Sequence, residues 1–495
     1  MMRAHRLLVV AVLAGCAGGV ARTTGPAPAA SVDPILASLS TRQKVSQLVV
    51  PWLAGSYAAF DDSAFQVATR WVDSLQVGGI IISVGSPFDI AAKLNALQRR
   101  SHLPLLISAD LEWGAAMRVV GATGFPTIMA AGATGDERDA YTIGRIAALE
   151  GRAVGIHVNF APDADVNNNP LNPIINTRSF GEDPRTVGRL VGAYVRGLRE
   201  NGMLATLKHF PGHGDTEMDS HIGLPTIRSD YARLDTLELI PFRAGIAAGA
   251  DVVMSAHIAF PSLTGGDDPG TLSAAVLTGL LRDSLKFHGL VVTDALDMGA
   301  IVTKYGAGEA TVRAFLAGSD LLLMPADPDS GINAMVAAVA NGRVTPERLD
   351  ASVRRVLEIK RRLGLFERRT VPLDSIMRIV GSRRTRISPT TWPSEPSPWS
   401  GIPSARSRGS APPAAGSRWW PTGTNRTPPS ARACSTPCRR PATPSPFSAS
   451  GRCPGRSRST RHARSSPGHR RSCSRLRCAP SQAAARSRFP TPSPT

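Results

Sequence analysis

The densest chemistry in the chain is the string K-H-F-P-G-H-G-D-T-E-M-D-S-H, Lys208 to His221, where three histidines and three acids surround two glycines that let a loop bend. One use of such a set is a metal site built from His209, His213, Asp215 and His221. Only His209 and His213 have the i, i+4 spacing of helical ligands, and Pro211 and Gly212 between them break a helix, so the spacing argues against a metal. The other use is a dyad. A carboxylate at Asp219 can hold one N–H of His221, fix the tautomer and raise the imidazole's basicity, leaving the second nitrogen to give and take a proton. In V-V-T-D-A-L-D-M, Val291 to Met298, Asp294 directly follows an apolar run. A carboxylate there can attack a carbon that develops positive charge, or it can simply cap the next helix. Asp297, three residues on, fits the capping role more naturally.

These groups must be positioned by the elements between Asp33 and about Phe366, where short apolar runs alternate with polar loops and amphipathic stretches. The runs are Val45 to Val50, Gly79 to Ser83, Pro104 to Ala109, His157 to Ala161, Leu204 to His209, Val252 to Ala256, Leu290 to Thr293 and Leu321 to Met324. Strands that are apolar throughout suit a parallel sheet buried on both faces. The expected fold is therefore α/β, a (β/α)8 barrel of the TIM type, larger than the typical ~250 residues because of long loops after several strands. One helix is legible in detail. Asp183 is a cap and Pro184 the first helical residue, and Val187, Leu190, Val191, Tyr194, Val195 and Leu198 follow a 3.6-residue period before Gly202. An open doubly wound sheet is the alternative, disfavoured because no glycine fingerprint follows the first run. Active sites of barrels form at the C-terminal ends of strands, and titratable groups follow four of the runs: Asp110, Lys208-His209, His257 and Asp294. So many polar groups at a barrel mouth need a polar ligand or one another.

At this point the chain resembles the family 3 glycoside hydrolases, and within them the β-N-acetylglucosaminidase (β-N-acetylhexosaminidase) branch. The strings that carry the resemblance are N-T-R-S-F-G-E-D-P from Asn176, K-H-F-P-G-H-G-D-T from Lys208, D-S-H at Asp219 to His221, V-T-D-A-L-D-M-G-A-I from Val292, and R-V-L-E-I-K-R-R-L-G-L-F near the end of the barrel region. The resemblance implies a barrel fold, Asp294 as nucleophile, His221 as acid/base with Asp219 orienting it, and no metal or organic cofactor. It also implies that Asp110, Arg118, Arg178, Lys208 and His209 hold the hydroxyls of the non-reducing sugar, which suits charged, bidentate partners in a dry pocket. The expected activity is retaining hydrolysis of terminal β-linked N-acetylhexosamine from peptidoglycan fragments or chitin-like oligosaccharides. A β-glucosidase or other exo-β-glycosidase, and an inactive carbohydrate- or polymer-binding lipoprotein, are the alternatives. One departure stands out: after the third strand this chain reads D-L-E-W-G-A-A-M-R, Asp110 to Arg118, with Trp113 where relatives have glycine. An aromatic platform or a narrowed pocket is expected there.

The two ends read differently. Arg3, His5 and Arg6 precede an apolar run, Leu7 to Leu13, too short to span a bilayer, and L-A-G-C follows, ending at Cys16. This resembles a bacterial lipobox, so residues 1–16 are expected to be a lipoprotein signal with lipidation at Cys16, and 17–32 a flexible tether. Export, with a lipid anchor in a bacterial membrane and the barrel facing the periplasm, follows. The formal net charge of +19 suggests a nucleic-acid binder, but it is local: residues 382–495 hold 21 arginines and one acid, Glu395, while the first 381 residues are nearly neutral. Five of the six cysteines also lie beyond residue 381, so Cys16 has no partner before it and a disulfide framework is excluded there. The expected division is 33–370 for the catalytic barrel, 371–381 for the start of a linker to a lost second domain, and 382–495 for a basic, disordered tail that reads as a frame-shifted translation of a GC-rich gene. No nucleic-acid partner is expected of an exported lipoprotein, and nothing in these motifs specifies an oligomeric state.

Overall fold

The first strand begins only after a helix. Ser40 and Gln43 form a reciprocal capping box that starts the helix Thr41–Ser46, and Val45 lies in it, so the strand expected from Val45 begins instead at Val49. In the computed structural model, which describes residues 31–385, the strands are β1 (Val49–Val50), β2 (Trp52–Leu53), β3 (Gly79–Ile82), β4 (Leu106–Ala109), β5 (Val158–Asn159), β6 (Leu204–Phe210), β7 (Val252–Ser255), β8 (Leu290–Val292) and β9 (Leu322–Leu323). β2 to β8 pair in order, each parallel to the next. β9 pairs with β1, and the Val292–Leu321 bridge joins β8 to β9. Because β1 and β2 are one stave interrupted at Pro51, whose carbonyl still accepts from Ile81 N–H (2.9 Å), the ring closes as eight parallel staves. This is the expected TIM-type barrel.

Val50, Leu106, Val158, Val252, Leu290, Val292 and Leu323, from six different staves, meet on the axis, so the barrel is filled rather than hollow. The outer helices follow the sequence pattern. In Pro184–Arg199 the Asp183 carboxylate accepts from Thr186 N–H (2.8 Å), and Val187, Leu190, Val191, Tyr194, Val195 and Leu198 are all buried. Its neighbour is Glu137–Ala153. A Cβ at Gly144 would lie 2.4 Å from the Tyr194 carbonyl, and one at Gly197 would lie 2.2 Å from that of Tyr141, so both helices need glycine where they touch. Among the described residues no helix is long and apolar enough to cross a membrane.

The ends of the described region are docked. Val32, expected in the tether, is buried in the core. The stretch expected as a linker is also held: Val371 exchanges two hydrogen bonds with the Asn95 side chain (2.8 and 2.9 Å), and Ile376 is buried. Gly381 N–H donates to Glu150 Oε1 (2.8 Å), and the same buried carboxylate accepts from Thr123 N–H (2.7 Å) and the Thr123 hydroxyl (2.8 Å). The signal and lipidation site at Cys16, and the tail from residue 386, lie outside the described residues.

Candidate active site

Four C-terminal strand ends supply the mouth of the barrel. Asp110 follows β4, and its Oδ1 accepts from Lys208 Nζ on β6 (3.0 Å) while Oδ2 faces Arg118 Nη2 (3.4 Å). Lys208 Nζ also lies 2.7 Å from Glu112 Oε1. Glu112 in turn accepts a two-pronged contact from Arg178 (Nη2 2.9 Å, Nε 3.1 Å), and Arg178 Nη2 lies 3.3 Å from Asp163 Oδ1. Asp110, Arg118, Lys208 and Arg178, expected to act together, are thus joined in one network whose centre is Glu112, a residue the sequence reading passed over. Burial alone would push the Glu112 carboxyl up, but the Arg178 and Lys208 charges outweigh it and hold it far below its ordinary value. The cations gain in return: Lys208 and Arg178 are both raised by their buried acidic neighbours despite desolvation.

The loop after β4 is shaped by the core beneath it. Tyr194, buried in the helix Pro184–Arg199, donates its hydroxyl toward the carbonyls of Leu111 (3.0 Å) and Glu112 (2.9 Å). Asn159 on β5 accepts from Leu111 N–H (2.8 Å). Trp113 is half-buried and packs against the hydrophobic core, while its carbonyl accepts from Phe125 N–H (3.1 Å). Gly114 follows at φ +98°, and a Cβ there would meet the Thr123 carbonyl at 2.7 Å.

His209 is bound differently from the other expected sugar contacts. Its ring Nδ1 lies 2.8 Å from Asp165 Oδ2, and its own N–H and that of His213 (2.7 Å) donate to the same carboxylate. These two histidines hold the Asp165 carboxyl below its ordinary value against the opposing effect of burial. Burial, joined by the Glu112 charge, raises the neighbouring Asp163 to about 7, and its Oδ2 is buried without a hydrogen-bond partner among the described residues. Asp163, Asp165 and His209 present ligand-type atoms within 4.8 Å of one another. Asp165 is already filled by three N–H donors and Asp163 Oδ1 faces Arg178, so this cluster is engaged internally. It is also not the set His209, His213, Asp215 and His221 that the spacing raised, since His213 is turned toward Thr216 (Nδ1 2.9 Å) and Ser220 (Nε2 3.1 Å).

The remaining pair lies across the mouth. His221 Nδ1 is 2.8 Å from Asp219 Oδ1, and this same oxygen accepts from His221 N–H (2.8 Å), the geometry expected of the dyad. Gly299 N–H donates to the His221 carbonyl (3.3 Å), which ties this turn to the segment that begins at Asp294. Asp294 is half-buried and its Oδ1 accepts from Ala295 N–H (2.8 Å). Desolvation raises the Asp294 carboxyl, but His257, His209, the Ala295 N–H and His221 together bring it down to about 2. The next helix is Gly299–Tyr305 with Met298 before it and no side-chain cap, so neither Asp294 nor Asp297 takes the capping role. Buried His257, from the end of β7, reaches under this segment: its Nε2 lies 2.9 Å from the Ala295 carbonyl and its Nδ1 2.8 Å from Thr271 Oγ1.

Comparison with known proteins places the chain in a family. Residues 40–359 match the sequence profile described as "Glycosyl hydrolase family 3 N terminal domain". A "Beta-N-acetylglucosaminidase/beta-glucosidase" of Cellulomonas fimi is 38% identical over 311 residues, covering 60% of this chain and 54% of that protein. "Beta-hexosaminidase LpqI" of Mycobacterium tuberculosis is 34% identical over 385 residues, covering 72% of this chain and 95% of the relative. Among solved structures, a glycoside hydrolase family 3 beta-N-acetylglucosaminidase from Paenibacillus sp. str. FPU-7 superposes with a TM-score of 0.63 at 44% identity, covering 66% of this chain and 64% of that one. The chain thus spans about half the length of the C. fimi protein. With the closed parallel barrel, the profile match and these relatives in agreement, the chain belongs to glycosyl hydrolase family 3, and residues 40–359 are its N-terminal, TIM-type barrel domain.

Proposed function

We propose that this chain is a retaining exo-β-N-acetylglucosaminidase that removes terminal β-linked N-acetylhexosamine from peptidoglycan fragments or chitin-like oligosaccharides. The observation that carries the proposal is the hydrogen bond from Gly299 N–H to the His221 carbonyl, because it brings the Asp219–His221 dyad beside the segment that opens with Asp294. In this reading Asp294, ionised at neutral pH, attacks the anomeric carbon as the glycosidic C–O bond breaks, and His221 gives its proton to the leaving oxygen. A covalent glycosyl-enzyme results. Water, deprotonated by His221, then attacks the same carbon, Asp294 leaves, and the configuration is retained. Asp219 holds the imidazole in the required tautomer. Asp110, Arg118, Arg178, Lys208 and His209 bind the sugar, and Glu112 holds the cations among them in place.

The substrate class is supported by the names of the relatives, which are β-hexosaminidases and β-N-acetylglucosaminidases. The doubled name of the C. fimi protein makes β-glucosides the second class to try. On the L-A-G-C string we further propose that Cys16 is lipidated and holds the barrel at a bacterial membrane, facing the periplasm. The test is hydrolysis of an aryl β-N-acetylglucosaminide by the full chain, beside Asp294→Ala and His221→Ala and with product configuration read by NMR. Retained configuration and turnover that collapses in Asp294→Ala are expected; turnover of β-glucosides alone would replace the substrate class, and inverted product would remove the covalent mechanism.

A further inference from the structure

The Asp219–His221 turn lies at the surface, and its apolar side chains do not anchor it: Met218 is 50% and Ile222 82% exposed. Ser220, between the two members of the dyad, is buried instead. It belongs to a chain of buried polar groups that runs through His213 to Thr216. The Thr216 hydroxyl donates its one proton to the His213 carbonyl (3.1 Å) and accepts from Asn172 Nδ2 (3.3 Å). It also lies 2.9 Å from His213 Nδ1. On the other side of the ring the Ser220 hydroxyl lies 3.1 Å from His213 Nε2, where it pairs with either tautomer, donating to the lone pair or accepting from the N–H. Burial, with the charge of His209, lowers His213 to about 4, so the ring is neutral at neutral pH.

We propose that Ser220 is a positioning residue: its hydrogen bond to His213 fixes the Asp219–His221 turn so that His221 exchanges its proton in line with Asp294. This rests on the assignment of His221 as acid/base given above. The turn has polar tethers, and two of them flank the imidazole. Ser220 ties it to the loop that leaves β6, and the His221 carbonyl ties it to Gly299 beyond β8. The second tether uses backbone on both sides. Ser220 is therefore a buried side chain that ties the turn to His213 between the two members of the dyad.

The test uses the full chain as wild type, Ser220→Ala and Ser220→Thr, with a series of aryl β-N-acetylglucosaminides whose leaving phenols run from activated (pKa ~4) to poor (pKa ~10). An activated phenol needs no proton from the enzyme to depart, whereas a poor one does. Expected for Ser220→Ala is a kcat/KM loss of ~10- to 100-fold on poor leaving groups and less than ~3-fold on activated ones. Its kcat on activated substrates should also fall, because release of the glycosyl-enzyme needs His221 as base. Ser220→Thr, which keeps the hydroxyl, should follow the wild-type slope. An equal loss along the series, or none, overturns the proposal. Should Ser220→Ala lose cooperative unfolding, Ser220→Cys, a weaker donor of similar size, is read against the same slopes. Wild-type inactivity toward the whole 2-acetamido series defeats the hexosaminidase reading instead, and aryl β-glucosides then provide the slopes; absence of turnover there too overturns both.

Discussion

The Glu112 carboxylate lies 2.7 Å from the Lys208 ammonium, and both side chains are almost wholly withdrawn from solvent. A buried pair of this kind is costly to break one partner at a time, because the survivor keeps its charge in a place without water. Here the carboxylate also serves Arg178, so its removal takes a counter-charge from two cations, leaving Lys208 to Asp110 and Arg178 to Asp163. Glu112→Ala is expected to lower stability by ~3–5 kcal/mol, read from the urea midpoint, and to raise KM before it lowers kcat. Glu112→Gln keeps the shape and should lose less stability. An unchanged midpoint for Glu112→Ala would mean that the network adds nothing to the fold.

Asp294→Ala is expected to reduce kcat by at least ~10³-fold while leaving the fold intact, since among the described residues its carboxylate accepts from the N–H of the adjacent residue. His221→Ala should lose ~10²–10⁴-fold on poor leaving groups and much less on activated ones. Circular dichroism beside the kinetics separates lost chemistry from lost structure.

The depressed Asp294 carboxyl has a signed consequence for pH. Its folded-state value, about 2, lies below the ordinary ~4 of an unfolded carboxylate, so its stabilising contribution is present above about pH 4 and is lost as pH falls through about 2. The proposed nucleophile is therefore already ionised at neutral pH. A profile of kcat/KM from pH 3 to 8 should show no inflection belonging to Asp294, and Asp294→Asn should unfold with a shallower dependence on acid than the wild type.

Lys360 behaves in the opposite way. It is fully buried in the helix Pro346–Arg362, its ammonium meets Gln47 Oε1 (2.7 Å), and burial, aided by the charge of Arg369, brings it down to about 7. The unfolded chain binds a proton there up to about pH 10, so the folded state gains stability as pH rises from about 7 toward 10. Thermal midpoints measured across that interval should climb in the wild type and flatten in Lys360→Met. Equal slopes in the two proteins would count against a burial-shifted lysine.

The barrel was legible because its strands are buried on both faces and so read as uninterrupted apolar runs; that signal located the staves and the residues that end them. The first run was misplaced by four residues, since Val45 continues an apolar stretch that the Ser40–Gln43 capping box assigns to a helix. Asp163 and Asp165 follow the fourth run, and the rule that selected Asp110 and Asp294 applies to them too. Their burial hid them, because their roles lie in holding Arg178 and His209. Glu112 carried no such signal: its partner Arg178 is 66 positions away, a distance along the chain that only the fold removes. The helix after Asp294 starts later than its acids suggest, and so Asp297, offered as a cap, stands exposed outside it.

Glu150 gives the far end of the barrel domain a stake in its mouth. One carboxylate holds both Thr123, on the loop that carries Trp113 and Arg118, and Gly381, where the described chain departs. A tag, fusion partner or stop codon placed just after residue 370 would cut that shared clasp, and protein made in this way would report on a loosened loop at the barrel mouth while seeming to report on the barrel alone. Expression boundaries for this domain belong beyond Gly381.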